Sequence, residues 1–202
     1  MENKRIRNIV FDLGNVLINF NPMEYIEKNI PKEKREEFYN TIFPTDEWLM
    51  LDRGTLTYEE AKRIFKDRIS GVDKEIDRFF DKDFYDMLEP IKKNTALLPL
   101  LKKKYKLYIL SNFHKDSFEE LNRRHEFFRI FDGHVVSCYY HQIKPEKGIY
   151  ETLINKFQLN PEETVFIDDS GINIEMAEKM GINGIHLPDY DELEKKLENF
   201  LK

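Results

Sequence analysis

Four short stretches of this chain carry side chains that could do chemistry together. Asp12 ends an apolar run, Ile9-Val10-Phe11, and is followed by Gly14 and Asn15. Ser111-Asn112 ends a second run, Lys144-Pro145 precedes an amphipathic segment, and Asp168-Asp169 ends a third run. Taken singly, each has an ordinary explanation: a turn, a helix cap or a solvated charge. Taken together they point to one kind of site. A lysine at a helix start opposes the macrodipole, but with free N–H groups it makes a place for an anion. Three carboxylates in one place repel one another unless protonated or neutralised by a cation. Mg²⁺ suits such a set, because it takes oxygen ligands, retains water and accepts a substrate phosphate.

The elements around these stretches must bring them together. Residues 6–11, 105–110, 134–138 and 164–167 read as strands, with a last strand at 185–187. Asn21-Pro22 reads as a helix start. Thr45 caps a helix through Trp48 and Leu51 that Gly54 ends, and Thr57 with Glu60 forms a capping box. Asp73 is read as the cap of a helix whose apolar face holds Ile76, Phe79 and Phe80. Residues 20–88 are thus expected to form a small bundle of about four helices. Beyond Pro90, helices are expected from Asn94 or Thr95, from a Ser117–Glu120 capping box to about Phe127, from Lys144-Pro145, from Asn173 to Met180, and over 190–201. The apolar positions Ile149, Leu153 and Phe157 recur every four residues. Strands alternating with helices predict a mostly parallel sheet with helices on both faces. In such a sheet ligands gather beyond the carboxyl ends of the strands, where all four stretches fall.

Composition narrows the function. The chain has 202 residues, 41% hydrophobic and 35% charged, which fits a folded soluble protein. A net charge of −6 argues against a nucleic-acid surface. The single cysteine, Cys138, excludes an intrachain disulfide and lies in an apolar stretch as a core residue. The run Ile9–Phe11 is too short for a signal-peptide core, and nothing approaches membrane-spanning length. The expectation is a cytoplasmic protein acting on a small phosphorylated metabolite, with neither nucleic acid nor membrane as partner. His125, His134, His141 and His186 show no metal-ligand spacing.

Residues 11–16, Ser111-Asn112, Lys144-Pro145 and 166–169 resemble the four ordered motifs of the haloacid dehalogenase superfamily. The match is nearest to the branch with an Asp-Leu-Gly-Asn-Val first motif, to which bacterial glucose-1-phosphate phosphatases belong. The phosphatase domain of soluble epoxide hydrolase is similar at greater distance. The resemblance implies an α/β fold, with a Rossmann-like core of residues 1–19 and 89–202 and an inserted helical cap of residues 20–88. It implies a Mg²⁺-dependent phosphatase acting through an aspartyl-phosphate, with Asp12 as nucleophile. Lys144, Ser111, Asn112 and Asn15 would hold the phosphoryl group. Asp12, Asp169, Asp168 and the Gly14 carbonyl would hold the metal. Trp48, Asp52 and Arg53 are candidates to line the cap side.

The chain departs from the resemblance at position 14. Most phosphatases of the superfamily place a second Asp there to protonate the leaving oxygen and then activate water. Glycine can do neither, and such help is worth about 10²–10⁴-fold. His114, Asp46, Glu47 and Asp52 are the candidates to replace it. A missing acid favours an easily departing group, such as the anomeric oxygen of a sugar phosphate like glucose 1-phosphate. Two other readings compete: a metal-independent 2-haloacid dehalogenase of the same fold, and a non-catalytic phosphate-binding regulator.

Overall fold

A computed structural model describes residues 6–201. Five parallel strands form one sheet: β1 (Asn8–Phe11), β2 (Lys106–Ser111), β3 (Gly133–Val136), β4 (Thr164–Asp168) and β5 (Asn183–His186). Their spatial order is β3-β2-β1-β4-β5, so β1 is central. Phe11 lies beside Ile109 of β2 and Ile167 of β4. The next residue, Asp12, therefore leaves the sheet between the ends of both neighbours.

Helices cover both faces because the strands alternate. Ile9, Phe11, Leu107, Ile109, Val165 and Ile167 point to one side, while Val10, Tyr108, Leu110 and Phe166 point to the other. Twelve α-helical segments are described. Those before β2 are α1 (Pro22–Asn29), α2 (Arg35–Ile42), α3 (Asp46–Arg53), α4 (Tyr58–Arg68), α5 (Asp73–Arg78), α6 (Phe84–Met87), α7 (Lys92–Thr95) and α8 (Leu98–Lys102). Those after it are α9 (Lys115–Arg124), α10 (Lys147–Phe157), α11 (Gly171–Lys179) and α12 (Leu193–Phe200). Ile149, Tyr150 and Leu153 of α10 cover the Val10 face together with Ile174 and Ala177 of α11. Residues of α8, α9 and α12 cover the Phe11 face, in one apolar cluster that continues into α1–α6.

The segment from α1 to α6 holds more helices than the pattern suggested. One cause is a π-helical turn, Phe79–Asp83, that joins α5 to α6. The wider turn lets Phe79, Phe80 and Phe84 all point inward, with the Phe79 and Phe84 rings 5.3 Å apart. The Thr57–Glu60 capping box is present, and Thr45 caps α3 through the Trp48 amide.

Several expected helix starts move. Ser117 and Glu120 do not cap α9, which begins at Lys115. Ser117 is buried against the Tyr58 hydroxyl, and Glu120 pairs with Arg123 and Arg124. Asn94 caps nothing either; its amide binds the carbonyls of Val16 and Tyr190. Asp73 is the first residue of α5 rather than its cap, and α10 starts at Lys147, so Lys144 lies in the loop before it. For Ser117 and Asn94, partners far along the chain outweigh the local capping preference.

Gly54 ends α3 at φ +69° and faces Cys138. A methyl group there would collide with the Cys138 carbonyl oxygen, whereas one on Gly71, at φ +81°, would meet open space. Gly71→Ala should therefore lose only the left-handed backbone cost, about 1–2 kcal/mol. Gly54→Ala should lose a further ~1–3 kcal/mol from overpacking. Urea unfolding of the two variants checks the difference.

Candidate active site

Asp12 is 7% exposed, and its two oxygens have different surroundings. Oδ1 accepts from the Leu13 amide at 2.7 Å and from the Ser111 hydroxyl at 2.6 Å. It also lies 2.8 Å from Lys144 Nζ. Among the described residues nothing donates to Oδ2. One oxygen is thus anchored and the other is left to act.

Lys144 is 5% exposed and bridges two carboxylates, with Asp168 Oδ2 at 2.6 Å. Burial alone would discharge the ammonium, but Asp12 and Asp168 outweigh that and hold its pKa above the usual lysine range. Asp168 is fully buried. Besides Lys144 it accepts from the Ser170 amide at 2.8 Å and from the Asn173 amide group at 3.0 and 3.1 Å. From the sequence Asn173 reads only as a helix start, and its hold on Asp168 emerges in the structure. Its i+5 position after Asp168, in the first turn of α11, was the available signal.

Two other amides are used as internal ties. Asn112 holds the Lys144 backbone from both sides, receiving its N–H at 2.8 Å and donating to its carbonyl at 3.1 Å. Asn15 stands at φ +51°, donates to Asp169 Oδ2 at 3.1 Å and receives the Phe20 amide at 3.1 Å. The left-handed turn at Asn15, a residue that tolerates it, brings the loop after β1 against Asp169. Ser111 is likewise spent on Asp12.

Asp12, Asp168 and Asp169 offer oxygens that all lie within 4.8 Å of one another. Among the described residues only Lys144 opposes these three carboxylates at the centre. Burial raises the Asp12 pKa to about 7, with Asp168 adding to the rise and Lys144 and Ser111 opposing it. Burial also raises Asp169, against the pull of Asn15. A hard divalent cation fits this donor set: all oxygen, negatively charged in excess, with Asp12 Oδ2 free.

Beside Gly14 opens a cavity of about 150 Å³. Its walls are Phe20, Trp48, Phe84, Leu88 and Phe113, and its polar edge is Asp52, Asn112 and His114. Of the residues expected on the cap side, Trp48 and Asp52 reach this cavity. Trp48 also packs on Phe43, Phe84 and the His114 ring. Arg53 instead pairs with Glu146 and donates to the His141 carbonyl at 3.2 Å, tying α3 to the loop before α10. Asp46 is exposed, and Glu47 pairs with Arg68.

A family model for haloacid dehalogenase-like hydrolases matches residues 6–181. The chain belongs to this family and is a hydrolase of its kind. It is 26% identical over 181 residues, 89% of either chain, to a sesquiterpene phosphatase of Aspergillus oryzae. Among solved structures it is similar to a haloacid dehalogenase-family enzyme of Bacteroides thetaiotaomicron crystallised with magnesium and inorganic phosphate. That match has a TM-score of 0.72 and 26% identity, covering 90% of this chain and 93% of the other. A family hydrolase of Porphyromonas gingivalis matches with TM-score 0.72 and 27% identity over 98% of either chain. No helix among the described residues is long and apolar enough to cross a membrane.

The raised carboxyl pKa values set a pH dependence. A buried acid whose folded pKa lies above its ordinary 3.8 stabilises the fold at low pH, and that contribution is lost as pH rises towards about 7. A divalent cation binds the deprotonated set and offsets the loss. In EDTA the melting temperature should fall between about pH 5 and pH 8. Mg²⁺ should raise it much more at the upper pH, and equal shifts at both pH values would contradict the assignment. Thermal unfolding with and without Mg²⁺ measures both.

Proposed function

We propose that this hydrolase is a Mg²⁺-dependent phosphatase of a small phosphomonoester, working through an aspartyl-phosphate on Asp12. The observation that carries the proposal is the asymmetry of Asp12, with Oδ1 fixed by three donors and Oδ2 free to attack phosphorus. Lys144 has the charge and position to steady phosphoryl oxygens while opposing protonation of Asp12. Asp12, Asp169 and the Gly14 carbonyl would hold Mg²⁺, which supplies neutralisation of phosphoryl charge when bound. Asp168 already accepts from three groups, so we assign it to hold Lys144 and the start of α11 and to complete the acidic set around the cation. Ser111, Asn112 and Asn15 contribute by orienting Asp12, Lys144 and Asp169, beside any contact they make to phosphate.

In this proposal residues 20–88 act as a cap over a core of residues 1–19 and 89–202; residues 1–5 and 202 lie outside the described structure. A cytoplasmic location agrees with the single buried cysteine. Two substrate classes have support. Glycine at 14 favours a leaving group that departs easily, as in a sugar 1-phosphate such as glucose 1-phosphate. The aromatic walls of the cavity favour an apolar alcohol, the class to which the substrate of the sesquiterpene phosphatase belongs by that enzyme's name.

Hydrolysis of p-nitrophenyl phosphate is the direct test, since its phenolate leaves without an acid. Turnover should require Mg²⁺, stop in EDTA, and fall on the order of 10³-fold or more in Asp12→Asn with folding intact. No turnover by the wild type would sink the phosphatase reading and leave the dehalogenase and the phosphate binder. Glucose 1-phosphate, glucose 6-phosphate and an isoprenyl phosphate then separate the substrate classes. A preference for glucose 1-phosphate selects the sugar reading, and a preference for the isoprenyl ester selects the apolar one.

A further inference from the structure

Position 14 holds no acid, yet an acid lines the cavity beside it. Asp52, on the last turn of α3, lines the same small cavity as Gly14. Its side chain is 13% exposed, and among the described residues its carboxylate receives no hydrogen bond. His114 Nε2 lies 3.6 Å from Asp52 Oδ1. That nitrogen is itself buried and unpaired, an expensive state for a polar atom. The other ring nitrogen is taken by the Tyr58 hydroxyl at 3.1 Å. Asp52 and His114 both line the cavity that Gly14 also lines. At Gly14 a Cβ would meet nothing within 4 Å, so the glycine side of the cavity is open.

Resting on the phosphatase reading, we propose that Asp52 is the general acid and base of this reaction, supplied from the helical segment rather than from the loop after Asp12. In the first step Asp12 Oδ2 bonds to phosphorus, the bond from phosphorus to the leaving oxygen breaks, and the Asp52 proton passes to that oxygen. In the second, water attacks phosphorus and the bond to Asp12 breaks. Asp52 takes the water's proton, so both carboxyl groups return to their starting states. His114 Nε2, 3.6 Å from the Asp52 carboxylate, is placed to orient it.

Protonation agrees with this geometry. Burial raises Asp52 to about 7, Asp12 adds to the rise, and Lys144 opposes it. A group titrating there can both give and take a proton near neutrality. His114, pushed down to about 3 by burial, stays neutral. The remaining groups that feel the Asp52 charge are Tyr58 and Cys138, whose pKa values burial raises.

The test uses the full chain with Mg²⁺ and a leaving-group series of p-nitrophenyl, phenyl and benzyl phosphate, read in the first turnover by rapid quench. Asp52→Asn should release one equivalent of p-nitrophenolate at close to the wild-type rate and then stall as the phosphoenzyme. With benzyl phosphate, which needs a proton, its first turnover should slow by about 10²–10⁴-fold. The burst itself shows that the variant folds and binds. Equal losses on all three esters would mean that Asp52 is only structural, and unchanged rates on all three would mean that it is idle; either overturns the proposal. If the wild type cleaves none of them, the phosphatase reading fails and the proposal falls with it.

Discussion

The site depends on one buried ammonium. Lys144 sits between Asp12 and Asp168, beyond the carboxyl ends of neighbouring strands β1 and β4. Without it, carboxylates at the end of one sheet would meet in a space that water hardly enters. Removing one partner of such a buried ionic contact typically costs about 3–5 kcal/mol, because the remaining charge is left uncompensated. Much of the surrounding polar structure serves to hold this lysine or its partners. Asn112 fixes its backbone, Asn173 and Ser170 fix Asp168, and Ser111 and Leu13 fix Asp12. The fold stores negative charge in excess of what Lys144 can balance, a donor set that a hard divalent cation fits.

The second constraint is the seating of α3 over the sheet edge. Its C-terminal end meets the Ser137–Tyr139 turn, with Gly54 close against Cys138 and the Ser137 hydroxyl donating to the Asp52 carbonyl. Arg53 and Glu146 add an exposed ion pair, worth about 0–1 kcal/mol. Trp48 packs across the His114 ring. These contacts set the direction of Asp52 and close an apolar chamber around Gly14. Exclusion of water from such a chamber strengthens every charge interaction inside it. The same contacts that stabilise the fold therefore also shape the cavity that Asp52 and Gly14 line.

The order of the elements was readable because it follows from local patterns. Fully apolar runs such as Ile9–Phe11 and Val165–Ile167 are buried on both faces, as central parallel strands are. Thr45 and Thr57 acted as caps because their partners lie three residues away. Ser117 and Asn94 did not, because their partners lie 59 to 96 residues away and are buried. A side chain that satisfies a distant buried group gives no local sign of doing so. Asn173 is a different case: its partner Asp168 is only five residues away, but the pair crosses a strand-to-helix turn and so falls outside the i+3 and i+4 spacings of a helix face.

By itself the sequence determined that Asp12, Ser111, Lys144 and Asp168 would share one edge, because every strand of a parallel sheet ends on the same side. It also determined that position 14 lacks an acid. Only the tertiary structure decided which residue stands near that gap. Asp46, Glu47 and Asp52 lie on one helix, yet at about 100° per residue they point in different directions, with Asp52 about 140° round from Glu47. How α3 turns against the sheet is set by the packing of Trp48, Leu51 and Gly54 on partners elsewhere in the chain. That rotation sends Asp46 to solvent, Glu47 to Arg68 and Asp52 to the cavity. No spacing along the chain encodes it, because it is a property of the surface on which the helix rests.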